Sequence, residues 1–199
     1  MEELEKIVLN FKETTDSIHD DFRLYLTSMP ASYFPVSVLQ NSVKLTTEPP
    51  RGMKANLKRS WNNLSEDFIN DCTKPEVWRK LLFSFSFFHA NIQERRKFGP
   101  LGWNIRYEFN DSDLETSFTM LKLFLDATDE IPWEALNFVT GIINYGGRVT
   151  DDQDSRCIMT ILEKFCNIKC LDEGYKFSPS GMYYAPADGK VDVYRDYVE

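Results

Sequence analysis

The stretch NYGGRVTDDQD, Asn144 to Asp154, gathers two glycines, an arginine and three aspartates. Glycine pairs can cradle phosphate, arginine can clamp it, and clustered carboxylates can hold a metal. Each of these chemistries asks for more than the stretch supplies. A phosphate loop, G-x-x-x-x-G-K-[ST], needs amides around the phosphate plus a lysine and a hydroxyl for the metal. The pair Gly189-Lys190 is followed by Val191, and Tyr184 stands where the first glycine belongs. The run Asp151 to Asp154 lacks the glycine and the distal glutamate of a calcium loop. Two of its acids, Asp151 and Asp152, could divide acid and base roles, but neighbours in a helix's first turn diverge in direction.

The other reactive residue types are equally spare. His89 sits in FFHAN on an apolar helix without an H-E-x-x-H around it, and reads as a hydrogen-bonded core histidine rather than a ligand. Cys72, Cys157, Cys166 and Cys170 form no C-x-x-C and read as reduced thiols. No catalytic, cofactor-binding or metal-ligating residue is assigned on these patterns. The formal net charge of −8 argues against nucleic acid as a partner, which needs a basic face. The short basic runs KRSW and QERRKFGPLGW are interleaved with acids and suit intramolecular pairs or a protein contact. No window reaches the length of a membrane span, and the acidic start MEELEKIVLNFKETTD lacks the apolar core of a signal peptide. A soluble chain of a reducing compartment is expected.

The elements that must position these residues are mostly helical. With 42% hydrophobic residues the chain is far from the composition of disorder and can bury a core. Leu4, Ile7, Val8 and Phe11 make a helical stripe. Phe22, Leu24 and Leu26 then alternate with Arg23, Tyr25 and Thr27 as in a half-buried strand. A short helix is expected through VSVLQNS and a second strand through VKLTTE. Pro49-Pro50 marks a boundary.

Helices are expected from there on: one with Met53, Leu57 and Trp61, then a long one whose faces carry Trp78, Leu81, Leu82, Phe85, Phe88, Ile92, Phe83 and Phe87. Thr73 and Glu76 form a T-x-x-E capping box for it, with Pro75 in the first turn. Asn110 to Asp113 cap a helix carrying Leu114, Phe118, Leu121 and Leu125. Pro132 opens another, with Leu136, Val139, Thr140 and Ile143 inward. Gly146 or Gly147 then closes that helix in the left-handed region, and Thr150 with Gln153 caps the next, which buries Ile158, Ile161, Leu162 and Phe165. On this reading the opening stretch is a capped joint between helices. SPSGMYYAPADGK has no helical period, and VDVYRDYVE is expected to begin a helix that ends before burying a face.

Long strings carry a resemblance beyond these patterns. FHANIQERRKFGPLGWNIRYEFNDSDL (Phe88 to Leu114), INYGGRVTDDQD (Ile143 to Asp154), KFSPSGMYYAP (Lys176 to Pro186) and the run Asp21 to Ser60 resemble dynein heavy chains, in the family's order. QERRKFGPLGWNI and SPSGMYYAP are similar to the axonemal type. One departure is Tyr25, where many relatives carry tryptophan.

The resemblance implies a mainly α fold from the sixth AAA+ module: residues 1–50 as the small α/β remnant of the large subdomain, 51–172 as the helical lid, and 173–199 as a turn-rich start of the C-terminal domain. It implies a role in a microtubule-based, minus-end-directed motor of the cilium axoneme, in which this lid is non-catalytic and transmits movement. ATP and Mg would lie in other modules, with no cofactor here. Neighbouring AAA+ modules and the C-terminal domain would be the partners, while the parent binds microtubules and light and intermediate chains, with no nucleic acid and no membrane. Give is expected at FGPLGWN and at Gly146-Gly147.

Overall fold

A computed structural model of the chain describes residues 2–14, 18–28, 31, 33–45 and 50–199. The chain divides into two compact units, Met1–Glu48 and Pro49–Glu199.

In the first unit, α1 (Glu2–Glu13) and α2 (Val36–Gln40) are the helices. The side chains of Leu4, Val8 and Phe11 are half-buried while Ile7 is exposed, and the Phe11 ring meets Phe22 edge-on at 5.5 Å. The two expected strands are not seen as strands among the described residues. Residues 22–28 and 43–45 are irregular and exposed, with Phe22, Leu24 and Leu26 each nearly half accessible. Residues 46–48 of the second lie outside the described residues. The physical reason is that an isolated strand pair is marginal and needs a larger sheet to bury its alternating face.

The second unit is a helical bundle around α5 (Pro75–Arg95). From Trp78 to Ile92 nearly every α5 side chain is buried, including Ser84, Ser86 and His89, so the helix is enclosed on all faces as its double apolar stripe demands. Around it lie α3 (Met53–Asn62), α4 (Glu66–Asn70), α6 (Asp111–Ala127), α7 (Trp133–Phe138) and α8 (Asp152–Leu162). The expected T-x-x-E box at the start of α5 does not form. Lys74 occupies the cap position, and the Thr73 amide and hydroxyl both donate to Asp126 Oδ1, at 3.0 and 2.8 Å. The Asp126 carboxylate takes the amide that Glu76 would have accepted, and the hydroxyl that would have accepted the Glu76 amide donates to it instead. At α6 the expectation holds: Asn110 and Asp113 exchange reciprocal bonds in a capping box.

After α7 the chain widens into a π-helical segment, Val139–Asn144, in which the Tyr145 amide reaches back five residues to the Thr140 carbonyl at 3.0 Å. The widened turn rotates the inward face. Thr140 stays buried as expected, but Ile143 turns outward at 54% exposure and Tyr145 takes the core position at 0%.

The C-terminal stretch belongs to the same core. Phe177 packs against both Phe87 and Phe165, with ring centroids 5.3 and 5.1 Å away, and those two rings also meet at 5.6 Å. The last helix, α9 (Val191–Val198), buries Val191, Tyr194 and Val198, with Tyr194 against Trp61 of α3 at 5.1 Å. The expectation that this helix would bury nothing is therefore corrected. Val191, Tyr194 and Val198 fall at helical spacing, and α3 and α5 supply the surface they cover.

Candidate functional site

The joint that looked catalytic is built from three pieces of chain: the end of the π segment, the first turn of α8, and the FGPLGWN loop after α5. The cap of α8 is Asp151, not Thr150: its Oδ1 accepts the amides of Gln153 and Asp154, both at 3.0 Å. The same oxygen accepts Asn104 Nδ2 at 3.1 Å. Asp154, 4% exposed, turns to the loop and accepts the Asn104 amide at 3.0 Å and the Ile105 amide at 3.2 Å. The Asp151 amide donates to the Tyr107 hydroxyl at 3.2 Å. Bonds from amides hold the Asp151 carboxyl below the usual carboxylate range, the Asp154 amide first and the Asn104 side chain next. Asp152 is an exposed first-turn residue, placed where negative charge suits the helix dipole.

The loop itself is held from beneath. Trp103 is 3% exposed and its Nε1 donates to the Ile92 carbonyl at 3.2 Å. The Arg95 guanidinium lies 5.0 Å over the Trp103 ring and donates to the Gly102 carbonyl at 2.9 Å. Gly102 has no room for a side chain, since a Cβ would lie 1.9 Å from the Arg95 carbonyl oxygen.

The glycines before the joint differ from expectation. Neither Gly146 nor Gly147 takes a positive φ. They open a short 3-10 turn, Gly146–Arg148. Gly146 is required by space, because a Cβ there would stand 2.6 Å from the Gly141 carbonyl oxygen, whereas a Cβ at Gly147 would meet nothing within 4 Å. Arg148 Nε then donates to Asp113 Oδ1 at 2.8 Å, tying the joint to the capping box of α6.

His89 is the core histidine the sequence suggested. It is fully buried, and its Nδ1 is 2.9 Å from the Tyr145 hydroxyl. Burial, with the nearby charge of Arg59, pulls its pKa down to about 3, so the imidazole is neutral at ordinary pH. The four cysteines are free thiols, and burial, then the neighbouring Cys170, pushes Cys166 up to about 12. Among the described residues no group of three or more His, Cys, Asp or Glu could hold a metal, and no helix is long and apolar enough to cross a membrane.

The structure thus brings Asp151 and Asp154 together with the loop but engages their oxygens with amides of the fold. Asp154 is the residue that sequence reasoning undervalued. Its partners lie about fifty positions away, and only the proximity of the two motifs in space reveals them. An ion pair shares that long-range character: Arg79 donates to both Asp188 oxygens, at 2.9 and 2.6 Å, and Tyr194 donates its hydroxyl to Oδ1 of the same carboxylate at 3.1 Å.

The residues that looked catalytic are engaged by the fold itself, within a helical bundle built around α5. The family model for the dynein heavy chain AAA lid domain matches residues 78–199, and that for the dynein heavy chain region D6 P-loop domain matches residues 1–46. The chain belongs to the dynein heavy chain family. It is 49% identical over 196 residues to human dynein axonemal heavy chain 6, covering 98% of this chain and 5% of that protein. To human dynein axonemal heavy chain 12 it is 51% identical over 201 residues, covering 98% and 6%. To rat dynein axonemal heavy chain 1 it is 51% identical over 185 residues, covering 92% and 4%. The chain therefore spans about a twentieth of the length of these relatives.

Proposed function

We propose that this chain is the lid-bearing part of the sixth AAA+ module of an axonemal dynein heavy chain, and that its role is mechanical and non-catalytic. It packs among neighbouring AAA+ modules and the C-terminal domain and passes on rigid-body movement during ATP-driven ciliary motion. The carrying observation is that one of the two places where give was expected, the loop after α5, is fastened to the first turn of α8. Asp154 and Asp151 tie the loop after α5 to the start of α8, so the bundle moves as one body. ATP and Mg belong to other modules in this reading, as do microtubule binding and the light and intermediate chains. The residues of the first unit are read as the tail of a larger P-loop domain. The match over residues 1–46 and the exposed Leu24, Tyr25, Val43 and Leu45 support that, since each would find cover in a complete sheet.

The test is an intact axonemal heavy chain carrying Asp154→Ala at the matching position. Expected are near-normal basal ATP turnover and slowed microtubule gliding. Wild-type gliding in the correctly folded variant would overturn the transmission role. A second reading, a free-standing helical interaction protein, rests on the exposed Phe98 and Leu101 of the loop tip, 60% and 89% accessible. An immunoblot of source cells with an antibody to residues 99–115 separates the two. A band of heavy-chain size supports the motor reading, and a strong band near 23.3 kDa supports the free-standing one.

A further inference from the structure

Residues 176–184 form a small hairpin closed by an antiparallel bridge between Lys176 and Tyr184 and by the Phe177 amide on the Tyr183 carbonyl at 2.9 Å. Its tip is a β-turn, Ser178 to Gly181, with the Gly181 amide donating to the Ser178 carbonyl at 3.0 Å and Pro179 at the second position. Phe177 anchors the hairpin in the core, while Pro179 and Ser180 are exposed and Ser178 is half-buried. Among the described residues the Ser178 hydroxyl engages the Ser180 hydroxyl, at 2.8 Å, a bond easily replaced.

The surroundings of that hydroxyl are basic on an acidic protein. Lys164, Lys176, Tyr175, Phe177, Ser178 and Pro179 line one open cleft, with no carboxylate among them. Lys176 rests on the Tyr184 ring at 4.6 Å, a contact an ammonium can keep while also meeting an anion. Ser178-Pro179 is moreover the one Ser-Pro or Thr-Pro step in the sequence.

We propose that Ser178 is a phosphorylation site for a proline-directed protein kinase, and that Lys164 and Lys176 receive the phosphate. The Ser178 hydroxyl oxygen attacks the γ-phosphorus of ATP. A bond forms between Oγ and phosphorus, the bond to the β,γ-bridging oxygen breaks, ADP leaves, and the hydroxyl proton passes to the kinase's base. The product carries nearly two negative charges and three strong acceptors in a cleft with two cations. It fastens the hairpin to the segment after α8, and so steadies the approach to α9.

The full chain, incubated with ATP and a cyclin-dependent or mitogen-activated kinase, is analysed by intact mass and fragment sequencing. Expected is a single phosphate at Ser178, absent from Ser178→Ala, and a Tm raised by about 2–4 °C. The gain should vanish in a Lys164→Gln, Lys176→Gln double variant that is still phosphorylated. No incorporation by either kinase, incorporation elsewhere, or a Tm gain that survives loss of both lysines would overturn the proposal.

Discussion

At the residue scale the molecule depends on a few polar atoms that had two readings in the sequence. Asp154 is buried and serves two backbone amides of another segment. Removing it leaves both amides without their acceptor, which costs about 2–3 kcal/mol. Asp154→Ala should lower the urea midpoint accordingly, and Asp151→Ala should cost about 1 kcal/mol as a lost cap. If both left the midpoint unchanged, the joint would not be structural. The glycines separate cleanly. Gly146→Ala forces a Cβ onto a backbone carbonyl, while Gly147→Ala enters open space. The first should destabilise by about 1–3 kcal/mol and the second by a few tenths at most, as a thermal melt of each would read.

His89 gives a pH signature. Its folded pKa is about 3 against an ordinary 6.5, so between these values the unfolded chain binds the extra proton. The contribution of neutral His89 is fully present above pH 6.5, is lost as pH falls toward 3, and is constant below. Its slope approaches about 1.4 kcal/mol per pH unit. His89→Gln should flatten the stability profile by that much across the window. Parallel profiles for variant and parent would contradict the neutral, buried state.

At the scale of elements, the helices were legible where an apolar stripe coincided with a local start signal. The long helix α5 and the Asn110–Asp113 box of α6 are examples, because periodicity and caps are local in sequence. What escaped was non-local. The strand pattern of Phe22, Leu24 and Leu26 is real, but a strand needs partners, and alternation cannot say whether they are present. The π segment was invisible because Ile143 continues the 3.6-residue stripe of Leu136 and Thr140, whereas Tyr145 reaches the core only through the widened turn. The Thr73 cap was lost to Asp126, fifty-three positions away. Likewise α9 looked too short to bury anything, yet Tyr194 is fully buried against Trp61 and Phe83. Tyr194→Ala should cost about 3 kcal/mol or more, and a stability close to wild type would show that α9 does not dock. At the candidate site the residues themselves were legible, while their common purpose was not. Asp151 and Asp154 were recognised as first-turn acids, but their bonds to Asn104 and Ile105 join distant motifs.

At the scale of the whole molecule, the two units differ in how well they cover their apolar residues. Residues 49–199 enclose a continuous core from Leu57 to Val198, whereas in residues 1–48 Val38 is the buried hydrophobic among those described. Limited proteolysis should therefore cut the first unit early and leave a resistant body extending through α9. A cut between the lid helices and α9 would contradict the docking of the C-terminal stretch on the core. The family relationship sets the frame for this asymmetry. The role proposed above asks for a domain stiff within itself, and the buried aromatic contacts of Phe83, Phe87, Phe165 and Phe177 suit that demand. The fastening of the loop to α8 extends it to the surface, where loops ordinarily yield.

The most direct test of the account is native-state hydrogen exchange at the Asn104 and Ile105 amides, read by NMR on the full chain. If Asp154 fastens the loop to α8, both amides exchange with protection close to that of the α8 core, and Asp154→Ala abolishes that protection selectively. Exchange at the rate of an open loop in the unaltered chain would contradict the claim that the loop and the start of α8 form one rigid body.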